Sequence, residues 1–257
     1  MAERRSRGFV EQRRQTIVEI LREEGRASVS GLAERLGISP LTIRRDLAAL
    51  EEAGVICRRY GEALLAEGAS PQTAASPFEA EKEAIARAGA RLVGDDELLF
   101  INTSSTALAL VPHITAQGVT VVTNSALAQG LPIPRSGMIL VTGGEIRPPR
   151  GVLSGEFALA NIRSVAATTC FVGCAGISLT AGVTSTTQQE ATVNSLMVER
   201  AYRMVLLADS SKLGIGAGFS YAPLDRVTLL ITDSGATDED VEILREAGIH
   251  EIRRVEP

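Results

Sequence analysis

The sequence predicts an α/β protein of two parts: an N-terminal winged helix-turn-helix joined to a Rossmann-like, mostly parallel α/β domain. Three observations carry this. Residues 27–61 place a short helix, a glycine turn, a second helix opening on small polar residues and two arginines, and then a basic segment. From Phe78 onward, short apolar strands alternate with helices, the pattern of a parallel sheet covered on both faces. Between them, Glu67 to Pro77 is small, polar and proline-bearing, as linkers are. The expected boundaries are 1–63 for the first domain, 64–77 for the linker and 78–257 for the second.

Phe9 to Glu24 reads as the first helix, with Ile17, Ile20 and Leu21 along one face. Gly25 stops it, and Ser28 is placed to cap a second helix that carries Leu32, Ala33 and Leu36 inward. Gly37 allows a left-handed turn. Ser39 then caps the next helix, with Pro40 at the first helical position, where no N–H is needed. Ile43, Leu47 and Leu50 form its buried face. Thr42, Arg44 and Arg45 fall off that face within the first two turns, the part of such a helix that enters a major groove. Arginine can bond bidentately to guanine or clamp phosphate. One of the pair is expected to read a base and the other to hold phosphate, in either order. Asp46 is expected to pair with a neighbouring arginine. Val55 to Gly61 fits a hairpin wing that lays Arg58 or Arg59 along the DNA backbone or a minor groove. The DNA-binding candidates are therefore Ser39, Thr42, Arg44, Arg45, Arg58 and Arg59.

In the second domain the expected helices are 80–92, 107–111, 189–202 and 238–247. The expected strands are 98–101, 119–122, 138–141, 168–172, 205–208 and 227–231, with Thr184 to Thr187 in a loop. Ligands bind beyond the carboxyl ends of such strands. Those ends are rich in hydroxyls and glycine: Asn102, Thr103, Ser104, Ser105 and Thr106, then Thr123 to Ser125, Gly143-Gly144, and Asp209 to Lys212. Glycine lets backbone N–H groups approach an anion, and Lys212 is a point charge suited to phosphate. A small phosphorylated ligand is the expectation. The effector-binding candidates are Asn102, Thr103, Ser104, Ser105, Thr106, Asn124, Gly143, Gly144 and Lys212. There is no dinucleotide fingerprint and no Walker loop, so no cofactor is expected.

Net charge is -5 over 257 residues, with 45% hydrophobic and 22% charged residues. Residues 1–66 carry a net of +2 and the remainder -7, a mildly basic head on an acidic body. Cys57, Cys170 and Cys174 make neither a disulfide framework nor a zinc pattern, so they read as packing thiols and no metal is expected. No apolar run reaches membrane-span length and the N-terminus has no leader-like core; the chain reads as cytoplasmic.

Thr42-Ile43-Arg44-Arg45-Asp46-Leu47, Val121-Val122-Thr123-Asn124-Ser125, Gly143-Gly144-Glu145-Ile146-Arg147, Leu207-Ala208-Asp209-Ser210-Ser211-Lys212 and Ile231-Thr232-Asp233 follow in order along the chain. Together they resemble the DeoR family of bacterial transcription regulators, over nearly the whole chain. The resemblance implies a winged helix-turn-helix followed by a sensor domain similar to ribose-5-phosphate isomerase. It further implies a homo-oligomer, dimer or tetramer, on double-stranded operator DNA. Such a protein represses a sugar or polyol operon and is released by a phosphorylated sugar or related metabolite. Three segments depart from the family pattern. Asn102-Thr103-Ser104-Ser105-Thr106 stands where the family usually has Asp-Ser-Gly-Thr-Thr. Gly173-Cys174-Ala175-Gly176 stands for Gly-Ala-Asp-Gly, and Tyr60-Gly61-Glu62-Ala63 for His-Gly-Gly-Ala. Two rival readings are a constitutive DNA-binding protein with a vestigial sensor and an isomerase-like enzyme. The latter would need Glu190, Asp209 or Asp233 as a general base.

Overall fold

The computed structural model describes residues 10, 13–21, 24–52, 55–59, 62–65, 78–147, 151–216 and 218–257. The chain divides into two compact units, Met1–Pro77 and Phe78–Pro257.

In the first unit, helix α1 covers residues 13–21. Strand β1 (Arg26–Ser28) leads into α2 (Val29–Leu36), and α3 (Pro40–Glu52) follows after the turn. Ser28 caps α2 by accepting from Gly31 N–H, and Gly37 closes it at φ 64°, a left-handed conformation that a Cβ would oppose. β2 (Ile56–Arg59) and β3 (Glu62–Leu65) form an antiparallel hairpin, and β1 adds to β3 to make a three-stranded sheet. This is the expected wing. β3 extends to Leu65, two residues into the stretch read as linker. The wing tip, Tyr60 and Gly61, and residues 66–77 lie outside the described residues. Ile17, Leu21, Leu32, Ile43, Leu47 and Ile56 close the core between the helices and the sheet. Truncating a buried leucine such as Leu47 to alanine typically costs ~2–5 kcal/mol, a large share of a small unit's stability.

The second unit begins with α4 (Glu79–Ala90), β4 (Leu98–Ile101) and α5 (Ser105–Leu108). β5 (Thr120–Thr123), β6 (Met138–Val141), β7 (Glu145–Arg147), β8 (Val152–Ser154) and α6 (Gly155–Arg163) follow. Next come β9 (Ala167–Val172), β10 (Gly176–Ser178), β11 (Gly182–Ser185), α7 (Gln188–Glu199) and β12 (Ala201–Leu207). β13 (Phe219–Ala222), β14 (Leu229–Asp233), α8 (Asp238–Glu246) and β15 (Glu251–Val255) complete it. Seven strands form one parallel sheet in the order β15-β14-β12-β9-β4-β5-β6.

Alternate residues of the central strands feed two cores. Phe100, Cys170, Val172, Met204 and Leu206 point to one face. Leu99, Ile101, Phe171, Val205 and Leu207 point to the other, against Ile85 and Ala86 of α4. Burial on both faces explains why these strands are unbroken apolar runs.

Several expected elements are corrected. Thr184 and Ser185 are not loop but the end of β11, where Thr184 Oγ1 donates to Gly176 O at 3.1 Å. The helix expected over 189–202 stops at Glu199, and Ala201 and Tyr202 open β12. The chain must turn there because Ala167 N–H donates to Arg200 O and starts the β9–β12 ladder. Helix 107–111 is instead α5 followed by a 3-10 turn over Val111–His113, with Pro112 inside it. β7, β8, α6, β10, β11, β13 and β15 add to the expected set.

Candidate functional site

α3 sits on the core through Ile43, Leu47 and Leu50, which leaves Arg44 and Arg45 exposed on its first turns. Ser39 Oγ accepts from Thr42 N–H at 3.3 Å, and the two hydroxyls are 2.9 Å apart. Both residues therefore shape the helix start. Asp46 is almost fully buried, and its partners are not its sequence neighbours. It accepts from Arg13 Nε at 2.5 Å and Arg14 Nε at 3.2 Å, both on α1. This pairing locks α1 to α3 and turns the carboxylate away from the arginine-bearing surface. A solvent-facing carboxylate there would oppose a polyanion; a buried one does not. Arg58 and Arg59 lie on β2, in register with Ala63 and Glu62.

In the second unit, strand order and chain order decide where a ligand can sit. β4, β5 and β6 run outward in one direction, while β9, β12, β14 and β15 run outward in the other. The order reverses between β4 and β9, and beyond the carboxyl ends of two such strands a crevice opens. Asn102 directly follows β4 and Gly173 directly follows β9. The Asn102 amide joins them: Nδ2 donates to Gly173 O at 3.0 Å, and Oδ1 accepts from Gly173 N–H at 3.0 Å and from Ser104 N–H at 3.2 Å. Tyr221 of β13 donates its hydroxyl to the same Gly173 carbonyl at 3.0 Å.

Asn102 is therefore a buried brace that makes three hydrogen bonds to protein partners and keeps one Nδ2–H. Thr103 and Ser104 are half-buried beside it, Ser105 is exposed and Thr106 is buried at the first turn of α5.

Lys212 closes the 3-10 turn Ser210–Lys212 after β12. Asp209 accepts from Ser211 N–H at 3.1 Å, and Asp233 from Ser210 N–H at 2.5 Å and Gly235 N–H at 2.8 Å, so two buried carboxylates fix the turn. The Lys212 side chain is half-buried and makes no ion pair among the described residues. It lies close enough to Cys174, in the loop after β9, for its charge to act on that thiol. Burial pushes the Cys174 thiol up to about 12; Lys212 opposes the rise and Asp209 adds to it. Leu213 bridges to Ile177 of β10, so the turn is tied to the loop beyond β9.

The structure thus gathers residues 102–106, 173–174 and 209–212 at one place. Asn124 stands beside it, one residue past the Ile101–Thr123 pair of β4 and β5, and Gly143 and Gly144 lie one strand further out, beyond β6. Asn124 directly follows β5 and is fully buried beneath β8, with its backbone carbonyl accepting from Leu153 N–H at 2.8 Å and Nδ2 donating to Leu153 O at 3.5 Å. Gly143 and Gly144 follow β6, the outermost strand. Gly144 serves packing: a Cβ there would stand 2.3 Å from Ser154 O. Gly173 and Tyr221 were absent from the sequence-based candidates. Gly173 could have been found as the strand-end partner of Asn102; Tyr221 comes from a distant antiparallel strand and carries no local signal. Among the described residues no cluster of metal-ligating side chains occurs, and no helix is long and apolar enough to cross a membrane.

A helix-turn-helix with its arginines outward, joined to a parallel α/β domain whose strand ends carry clustered polar residues, is the build of a DNA-binding transcription regulator. The chain belongs to the DeoR family: residues 13–68 match the DeoR-like helix-turn-helix domain and residues 78–234 the DeoR C terminal sensor domain. Relatives align over nearly their whole length. The HTH-type transcriptional regulator GolR of Listeria innocua is 30% identical over 94% of this chain and 97% of its own. The HTH-type transcriptional repressor GlcR of Bacillus subtilis is 29% identical over 94% and 95%. The HTH-type transcriptional regulator UlaR of Escherichia coli O1:K1 / APEC is 30% identical over 94% and 98%. Among solved structures, a ribose 5-phosphate isomerase from Methanocaldococcus jannaschii aligns over 52% of this chain and 54% of its own, at 18% identity and a TM-score of 0.37.

Proposed function

We propose that this protein represses a sugar or polyol catabolic operon and is released from its operator by a small phosphorylated metabolite. α3 enters the major groove, where Arg44 and Arg45 divide base reading and phosphate clamping, with Thr42 and the arginines of β2 in support. The protein acts as a homo-oligomer on paired half-sites. The effector lies at the β4/β9 crevice, its phosphate against Lys212 and the hydroxyls of residues 103–106. The single observation that carries this reading is the half-buried Lys212, without an ion pair among the described residues, one strand from the strand-order reversal. A lysine ammonium at such a place has an anion as its natural partner.

With three of the four hydrogen bonds of the Asn102 amide made to Gly173 and Ser104, one Nδ2–H is left at residue 102 and the sugar hydroxyls fall mainly to other groups. Control of this kind requires that the effector bind the DNA-competent and DNA-incompetent states with different affinity. The test is a panel of phosphorylated sugars and polyols scored for release of promoter duplex and for a rise in melting temperature. One compound that does both supports the reading. A panel with neither effect favours a constitutive binder with a vestigial sensor.

A further inference from the structure

The parallel sheet has two open edges of opposite character. β15 carries Glu251, Arg253 and Arg254, with Arg253 paired to Glu251 at 3.0 Å. Charges on an edge strand keep it from recruiting another strand. β6 at the far edge reads Met138-Ile139-Leu140-Val141, with no charge, no proline and no bulge against β5. Met138, Leu140 and Val141 are 51%, 44% and 42% exposed. Leu127, Ile133 and Ile146, on the segments flanking β6, are exposed as well. Met138 and Leu140 face one side of the sheet and Val141 the other, so the exposed apolar surface wraps the edge; summed over both faces these six side chains expose on the order of 600 Å², somewhat below the ~800 Å² each partner brings to a standard interface.

The backbone of β6 is equally specific. Met138 N–H donates to Val119 O at 3.0 Å and Thr142 N–H to Thr123 O at 2.9 Å. In a parallel ladder alternate residues face the neighbour, so the N–H and C=O groups of Ile139 and Val141 face the open edge. We infer that β6 pairs with β6 of a second copy, antiparallel about a twofold axis through Leu140. Ile139 of each copy then exchanges hydrogen bonds with Val141 of its mate. This register uses both outward-facing residues of each strand. β6 itself is uncharged, so facing its own copy strand to strand brings no like-charge repulsion, and the nearby exposed charges, Arg135 and Glu145, lie on the flanking segments. A twofold contact of this kind is self-complementary and closes, leaving no edge for a third copy. The choice of a second copy rests on the reading of the chain as a regulator of paired half-sites.

Sedimentation velocity on the full chain without DNA tests this, beside circular dichroism and melting of each variant. The wild type is expected to be dimeric. Leu140→Lys places like charges opposite each other on the axis. Ile139→Pro removes an outward-facing N–H and spares the β5 ladder, while its loss of side-chain packing on the core is read by the melting control. Each should weaken the dimer roughly 100-fold with an unchanged fold. Leu140 opposite Leu140 is a non-hydrogen-bonded pair with Cα atoms ~4.5 Å apart, within disulfide reach. Leu140→Cys should therefore cross-link on oxidation. A monomeric wild type overturns the inference, as do folded variants that stay dimeric together with no cross-link at 140. A dimer that separates as expected but binds no promoter duplex leaves the interface standing and refutes the regulator reading instead.

Discussion

Replacing Asn102 with alanine tests the brace across the strand-order reversal. It deletes three hydrogen bonds: to Gly173 O, from Gly173 N–H and from Ser104 N–H. Their costs differ. Gly173 is buried, so its N–H loses a partner that water cannot replace, at ~1–3 kcal/mol. Ser104 is half-buried and can turn its N–H to solvent, at ~0.5–1.5 kcal/mol. Gly173 O keeps the Tyr221 hydroxyl and loses little. The sum is about 2–4 kcal/mol, or roughly 5–15 °C in the melting temperature of a unit this size. Tyr221→Phe alone should cost ~1 kcal/mol, because the Asn102 amide still serves the carbonyl. The double variant should cost ~1 kcal/mol more than the two singles added, since only then is Gly173 O stranded. Calorimetry of the four proteins closes the cycle. A melting temperature for Asn102→Ala within about 2 °C of wild type, or strict additivity with Tyr221→Phe, would refute the brace.

Asp46→Ala strips the shared carboxylate from Arg13 and Arg14; with both guanidiniums able to reach water, urea unfolding should show a loss of ~1.5–3 kcal/mol, and no loss would mean the pair does not hold α1 to α3. Lys212→Ala should leave promoter affinity intact without effector but raise the effector concentration for release by roughly 10- to 150-fold in an anisotropy titration; an unmoved midpoint places the phosphate elsewhere. Because burial raises the Cys174 thiol to about 12, little thiolate exists near neutral pH, and iodoacetamide labelling of the native protein should still be rising at pH ~9.5–10, where an ordinary cysteine of pKa ~8.5 has levelled off. Labelling at Cys174 that plateaus at that pH contradicts the burial.

What was legible in the sequence was what depends on near neighbours. The Ser28 cap, the Gly37 turn and the Ile43/Leu47/Leu50 face are set by residues within a few positions, and the helices of the first unit follow from them. β4, β9 and β12 announce themselves because burial on both faces demands continuous apolar runs. The small antiparallel sheets do not. β11 is Gly182-Val183-Thr184-Ser185, and its polar residues resemble a loop until their buried partners are seen. α7 and β12 share an apolar run, and only the β9 ladder shows where the helix must end.

At the candidate site, the polar strand ends were readable, but their division of labour was not. Asn102, Asn124 and Gly144 look like ligand contacts by type. Asn102 is held by a partner 71 residues away, Asn124 donates to one 29 residues away while its Oδ1 has no partner among the described residues, and Gly144, though exposed, makes room for the Ser154 carbonyl. Asp46 was expected to serve a neighbouring arginine and instead serves two on another helix.

The most direct test of the account is the salt dependence of promoter binding by the wild type, Arg44→Ala and Arg45→Ala, each titrated on promoter and scrambled duplexes. The account predicts a wild-type preference for promoter DNA that one variant loses, at ~1–3 kcal/mol of discrimination. The other variant should weaken both duplexes alike and lower the salt slope by about 1. Folded variants that bind both duplexes as the wild type does, at every salt concentration, would contradict the assignment of α3 as the element that reads DNA.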